Sequence, residues 1–91
     1  MSSVRIPPVL RDAAGGNRSV AANGATVAEV LNDLFRQFPS LRDRVTEGGE
    51  LSSFVNVYVN DRDVRYRDGL QTPVGYSDTV ILLPAMAGGS S

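Results

Sequence analysis

Val27, Val30, Leu31, Leu34, Phe35 and Phe38 recur at i, i+3, i+4, i+7, i+8 and i+11, which is one apolar stripe along one side of an α-helix. Thr26 is placed to cap the start of that helix, Glu29 three residues later completes a capping box, and Pro39 stops the run. The only other helical spacing is a short turn carrying Leu41 and Val45. A single amphipathic helix in a chain of 91 residues has to bury its stripe against something else, and the remaining apolar residues are spaced as strands.

Val4, Ile6, Val9 and Leu10 predict a first strand over residues 3–10, made irregular by Pro7 and Pro8, which lack the ladder donor. The turn formers Ala13 to Asn17 lead to a return strand over Arg18–Ala22, and Asn23-Gly24 turns the chain into the helix. Glu47-Gly48-Gly49-Glu50 reads as a flexible acidic loop. Phe54 to Val59 alternates, with Val55, Val57 and Val59 on one face and Phe54, Asn56 and Tyr58 on the other. Asn60 to Asp63 is a polar turn, and Val64-Arg65-Tyr66 is expected as a short return strand. Thr79 to Leu83 forms the last strand, closed by Pro84. This order is α+β: one helix covers one face of a mixed sheet whose first and last strands lie at its centre, the β-grasp (ubiquitin-like) arrangement. The length supports a single domain spanning 1–91, with residues 84–91, small or flexible and uncharged, projecting as a flexible tail.

The chain has nine Arg, no Lys, ten Asp plus Glu, no His and no Cys. It therefore offers no side chain titrating near neutrality, no thiolate, no Schiff-base amine and no ordinary zinc site, so self-contained catalysis is not expected and no catalytic residue is assigned. Asp61 and Asp63 lack the further ligands of a calcium loop, and no metal is expected. The arginines are spread among acids without a basic stripe for nucleic acid, no segment is apolar enough to span a membrane, and the start has no signal-peptide organisation, which makes the cytoplasm the expected location.

Gly88-Gly89 near the end reads as a frayed terminus or as a tail for a narrow channel in another protein, since residues without Cβ allow close backbone approach. The segments Phe54 to Arg65 and Asp78 to Gly89 together resemble the ThiS/MoaD sulfur-carrier family across nearly the whole chain. Ile6 to Arg11 and Gly15 to Val20 are similar to its actinobacterial branch, which supplies sulfur for cysteine synthesis.

The resemblance implies that an E1-like adenylyltransferase, using ATP and Mg, adenylates the carboxylate of Gly89 and that sulfur then replaces AMP to give a thiocarboxylate. Ala87, Gly88 and Gly89 would thread the partner's channel, and the sulfur would pass to a biosynthetic enzyme making cysteine, a thiosugar or another sulfur metabolite. Because the chain has no cysteine, it has no persulfide of its own, which suits a terminal carboxyl as the sulfur-bearing group. Ser90 and Ser91 follow Gly89 and close its carboxyl into a peptide bond. Two readings stay open: a precursor trimmed by a zinc metalloprotease, or an end that disables the carrier. The alternatives in function are the small subunit of a molybdopterin synthase and a ubiquitin-like protein modifier.

If the three valines face the helix, Phe54, Tyr58, Ile81 and Leu83 lie on the opposite sheet face. With Met86 they form the expected partner interface, unless loops cover them. Arg62, Arg65 and Arg67 are expected to meet acidic partner residues around that patch or to be solvated, and Tyr66 and Tyr76 to pack.

Overall fold

The computed structural model describes residues 2–85. In chain order the regular elements are β1 (Ser2–Arg5), β2 (Ser19–Ala22), α1 (Val27–Gln37), α2 (Pro39–Val45), β3 (Thr46–Glu47), β4 (Glu50–Leu51), β5 (Val55–Val59), β6 (Arg62–Asp63) and β7 (Thr79–Pro84). Three 3-10 segments, Pro8–Ala14, Val64–Tyr66 and Gly69–Gln71, connect them. The main sheet runs β2-β1-β7-β5-β6. Its central pair, β1 and β7, is parallel, with Val4 opposite Val80 and Arg5 opposite Ile81, and its other pairs are antiparallel. The first and last strands are thus neighbours at the middle of the sheet, as the element order predicts.

Strand alternation sends one lateral row, Val20, Val4, Val80 and Val59, toward α1. Val4 and Val80 are fully buried, together with Val27, Val30 and Leu34 of the helix. All belong to one apolar cluster that also takes in Leu41 and Val45 of α2. Each such side chain contributes about 1.5–3 kcal/mol by leaving water. The helix starts where the capping signal puts it: Thr26 Oγ1 accepts from the Glu29 N–H, and Glu29 Oε1 accepts from the Ala25 N–H, one residue before the cap. Asp33 then ties the first helix to the preceding turn by accepting from the Asn23 N–H at 3.0 Å.

Four expectations are corrected. The first strand stops at Arg5, because Pro7 and Pro8 end the ladder and Pro8, with its φ already suited to a helix, opens the 3-10 segment Pro8–Ala14. Val64-Arg65-Tyr66 is a 3-10 turn, since the Asp63 carboxylate accepts from the Arg65 N–H at 2.9 Å, and the return strand is Arg62–Asp63. The acidic loop is a tight hairpin, β3 to β4, whose Gly48 and Gly49 both hold the left-handed φ of a two-residue turn (61° and 85°). Pro84 belongs to β7 and Ala85 donates its N–H to the Phe54 carbonyl at 2.8 Å, so the first two residues of the expected tail are part of the sheet. Met86 to Ser91 lie outside the described residues.

Asn60, in the left-handed region at φ 59°, joins the β5–β6 turn to the entry of β7. Its Nδ2 donates to Asp78 Oδ1, its Oδ1 accepts from the Thr79 N–H, and Asp78 Oδ2 accepts from the Gly75 N–H. The hydrogen bond from Asn60 and then that from the Gly75 backbone hold the Asp78 carboxyl below its ordinary value of 3.8. A lowered folded-state pKa contributes stability that is present above the unfolded value and lost as pH falls through the folded one. Asp78→Asn should therefore lose stability at neutral pH, and acid titrations followed by circular dichroism should find its deficit shrinking as pH falls below 3.8. A deficit independent of pH would contradict the carboxylate's part in this clip.

Gly24 lies against the first turn of α1, where an added Cβ would stand 2.5 Å from the Val30 nitrogen. Gly24→Ala should cost about 1–3 kcal/mol through backbone displacement, read as a lower midpoint in urea; an unchanged midpoint would refute the close approach.

Candidate functional site

The sheet face away from α1 is where the predicted interface residues come together. Across the strands its central row reads Ser19, Arg5, Ile81, Tyr58 and Asp63. Leu83 lies opposite Asn56 in the adjacent register. Phe54 is 66% exposed and Leu83 41% exposed, while Tyr58 and Ile81 are half-buried. No loop of the described chain closes over Phe54 or Leu83. Phe54 sits beside the point where the chain leaves the sheet, because its carbonyl receives the Ala85 N–H. The described part of the predicted interface is thus gathered beside Ala85, the last described residue. Met86, Ala87, Gly88, Gly89, Ser90 and Ser91 fall outside the described residues.

Asn56 stands within this patch, and its Oδ1 is buried without a hydrogen-bond partner among the described residues. A buried carbonyl oxygen left unpaired costs about 1–3 kcal/mol. Strand alternation put Asn56 on this face from sequence, but only the packing of its neighbours removes its oxygen from water.

Asp63 and Arg65 form an ion pair at 3.2 Å at the far edge of the sheet. Burial raises the Asp63 pKa, but the Arg65 guanidinium and backbone N–H together outweigh it, so the carboxyl titrates below its ordinary value. Arg65 is therefore engaged within the chain. Arg62 and Arg67 are exposed. Tyr66 and Tyr76, expected as packing residues, are 85% and 86% exposed, because the 3-10 turn and the loop before β7 direct them outward. Among the described residues no group of three or more acids could hold a metal ion. No helix there is long and apolar enough to cross a membrane.

A cleft of about 480 Å³ opens on the other side of Leu83, lined by Arg5, Pro7, Pro8, Arg11, Arg18 and Ile81 to Pro84. It exists because β1 stops at Arg5, opposite Ile81, whereas β7 continues to Pro84. Beyond Ile81, β7 has a neighbour on the β5 side only, which is also why Pro84 is tolerated within a strand. Spacing did not predict this convergence of three arginines, although one signal was present: Asp12 is the only acid before Glu29.

Residues 4–89 match the ThiS family. The chain is 43% identical to the sulfur carrier protein CysO of Mycobacterium tuberculosis over 90 residues, covering 96% of this chain and 97% of that protein. It is 40% identical to small archaeal modifier protein 3 of Haloferax volcanii over 65 residues, 71% of each chain. In structure it is similar to a chain of the Amycolatopsis orientalis BexX/CysO complex, with a TM-score of 0.91 at 44% identity, covering 98% of this chain and 100% of that one. A family match over residues 4–89 and 43% identity along 96% of the chain lead to one conclusion: the chain belongs to the ThiS family.

Proposed function

We propose that this chain is a sulfur carrier whose reactive group is the main-chain carboxylate of Gly89, freed by removal of Ser90 and Ser91. The observation that carries the reading is where β7 takes the chain. Its last ladder contact, from Ala85 to Phe54, lies beside the exposed Phe54 and Leu83. From Ala85 to Gly89 the chain can extend at most about 14 Å. A partner docked on that face would hold the terminal carboxylate within reach of its own catalytic centre.

In the first step a Gly89 carboxylate oxygen attacks the α-phosphorus of ATP on an E1-like adenylyltransferase, and pyrophosphate leaves. Hydrosulfide then attacks the acyl carbon, the bond to AMP breaks, and a glycine thiocarboxylate remains. ATP and Mg belong to the partner, which supplies the charge stabilisation that phosphoryl chemistry needs. This chain supplies a carboxylate on a stretch of Ala87, Gly88 and Gly89 whose small residues suit a narrow channel. A biosynthetic enzyme producing cysteine, a thiosugar or another sulfur metabolite then takes the sulfur, in the cytoplasm, and a zinc metalloprotease is the trimming partner. Similarity to a small archaeal modifier protein favours a second reading, in which Gly89 is joined to lysines of other proteins. Branched peptides in place of a thiocarboxylate would identify that outcome.

A chain ending at Gly89, incubated with the activating enzyme, ATP and sulfide, should gain the mass difference between sulfur and oxygen in intact mass spectrometry. The form ending at Ser91 should remain unchanged. Equal inertness of both would refute the reading.

Leu83→Ser should leave stability within about 0.5 kcal/mol, as for other exposed positions. It should raise KM for activation about tenfold, since burying a large apolar side chain at an interface is worth ~1.5–3 kcal/mol. An unchanged KM would remove Leu83 from the docking face.

A further inference from the structure

Arg5, Arg11 and Arg18 come from three different segments, the end of β1, the 3-10 segment and the approach to β2, yet they line one cleft. Among the described residues none of the three forms an ion pair; the ion pairs are Arg36–Asp33, Arg44–Asp12 and Arg65–Asp63. Arg5 and Arg18 are exposed, and Arg11 is oriented by donating its Nε–H to the Ile6 carbonyl at 3.2 Å. Asp12, the one acid nearby in sequence, is engaged with Arg44 at 3.7 Å. Three guanidinium groups without an ion-pair partner among the described residues, around one concavity in a chain of net charge −1, make a local positive field that the whole-molecule charge conceals.

The cleft is continuous with the apolar face, since Ile81 and Leu83 belong to both. It is also bounded by Pro84, the last residue of β7. We propose that this cleft receives an acidic segment of the adenylyltransferase that activates the tail, so that apolar docking on Phe54 and Leu83 and ionic docking on Arg5, Arg11 and Arg18 together set the register of the carboxylate. The occupant is assigned by charge complementarity: guanidinium groups suit carboxylates, singly or in a bidentate fork. The unpaired side of β7 beyond Ile81 suits an extended segment lying alongside it. Charges at the rim of an apolar contact act mainly on encounter and orientation and are weakened by salt. The partner's identity rests on the carrier reading; the acidic character of the occupant does not.

Two measurements test this separately. In the first, the full chain is titrated with a peptide alternating Glu and Ser, and with a Gln/Ser peptide of equal length, while backbone amide shifts are followed by NMR. Salt-sensitive shifts centred on Arg5, Arg11, Arg18 and Ile81, seen with the Glu/Ser peptide alone and lost in Arg5→Gln/Arg18→Gln, are the expected result. Equal shifts around Arg36, Arg42 and Arg62 would overturn the proposal. That double variant alters two exposed side chains and leaves the structural bond of Arg11 in place.

In the second, pyrophosphate exchange is measured with the chain ending at Gly89. Arg5→Gln/Arg18→Gln should raise KM on the order of tenfold with kcat unchanged, whereas Arg36→Gln/Arg42→Gln should change neither. Exchange by the parent with a KM indifferent to the cleft variant would sink the cleft and spare the carrier reading. No exchange by the parent would sink the carrier reading, and the peptide titration alone would then decide the cleft.

Discussion

The parallel pairing of β1 with β7 is the constraint on which the rest of the molecule depends. A parallel pair cannot be closed by a tight turn, so every other element lies in the connection between the two strands. Burial of Val4 and Val80 under α1 holds the pair together, and the clip of Asn60, Asp78 and Gly75 sets where β7 begins. Because β7 is central for its first half and neighbours only β5 for its second, one strand both closes the core and borders the arginine-lined cleft.

The same strand divides the surface. Up to Ile81 it lies between β1 and β5, and alternation gives a sealed inner row and an outer row of mixed chemistry. Past Ile81 the prolines that follow β1 have turned that chain away, which opens the arginine-lined cleft on one side while Phe54 and Leu83 stay exposed on the other. Two consecutive prolines, a local backbone property, thereby create a surface feature at the opposite end of the sequence. The inner face tolerates little variation because it is close-packed.

The chain has no His, Cys or Lys, and its relatives include sulfur carrier proteins. In the carrier reading proposed above, what it contributes is geometry: a carboxyl on small residues, an apolar face to grip and charges to orient. The interior is held mainly by apolar contact. The Asn56 oxygen, without a partner among the described residues, lies instead on the face away from α1.

Much of this was legible in the linear chain. The helix, its cap, the alternation of Phe54 to Val59 and the central place of the outer strands followed from periodicities of 3.6 and 2 and from side chains that act on their near neighbours. The end of the first strand, the strand expected at Val64–Tyr66 and the loop at Gly48-Gly49 were misread, because proline at a helix start, an Asx-type hydrogen bond and a left-handed glycine pair compete locally with strand propensity. The sequence by itself determined which face of the helix and of Phe54 to Val59 is buried and where the Gly-Gly segment stands, since both are properties of neighbours along the chain, whereas Tyr66 and Tyr76, expected to pack, are exposed. Only the tertiary structure decided that Arg5, Arg11, Arg18 and Leu83 share one surface and that the Asn56 Oδ1 is cut off from water. Those facts depend on which strands pair and where each one stops, and no local preference encodes the distance between segments that meet only on folding.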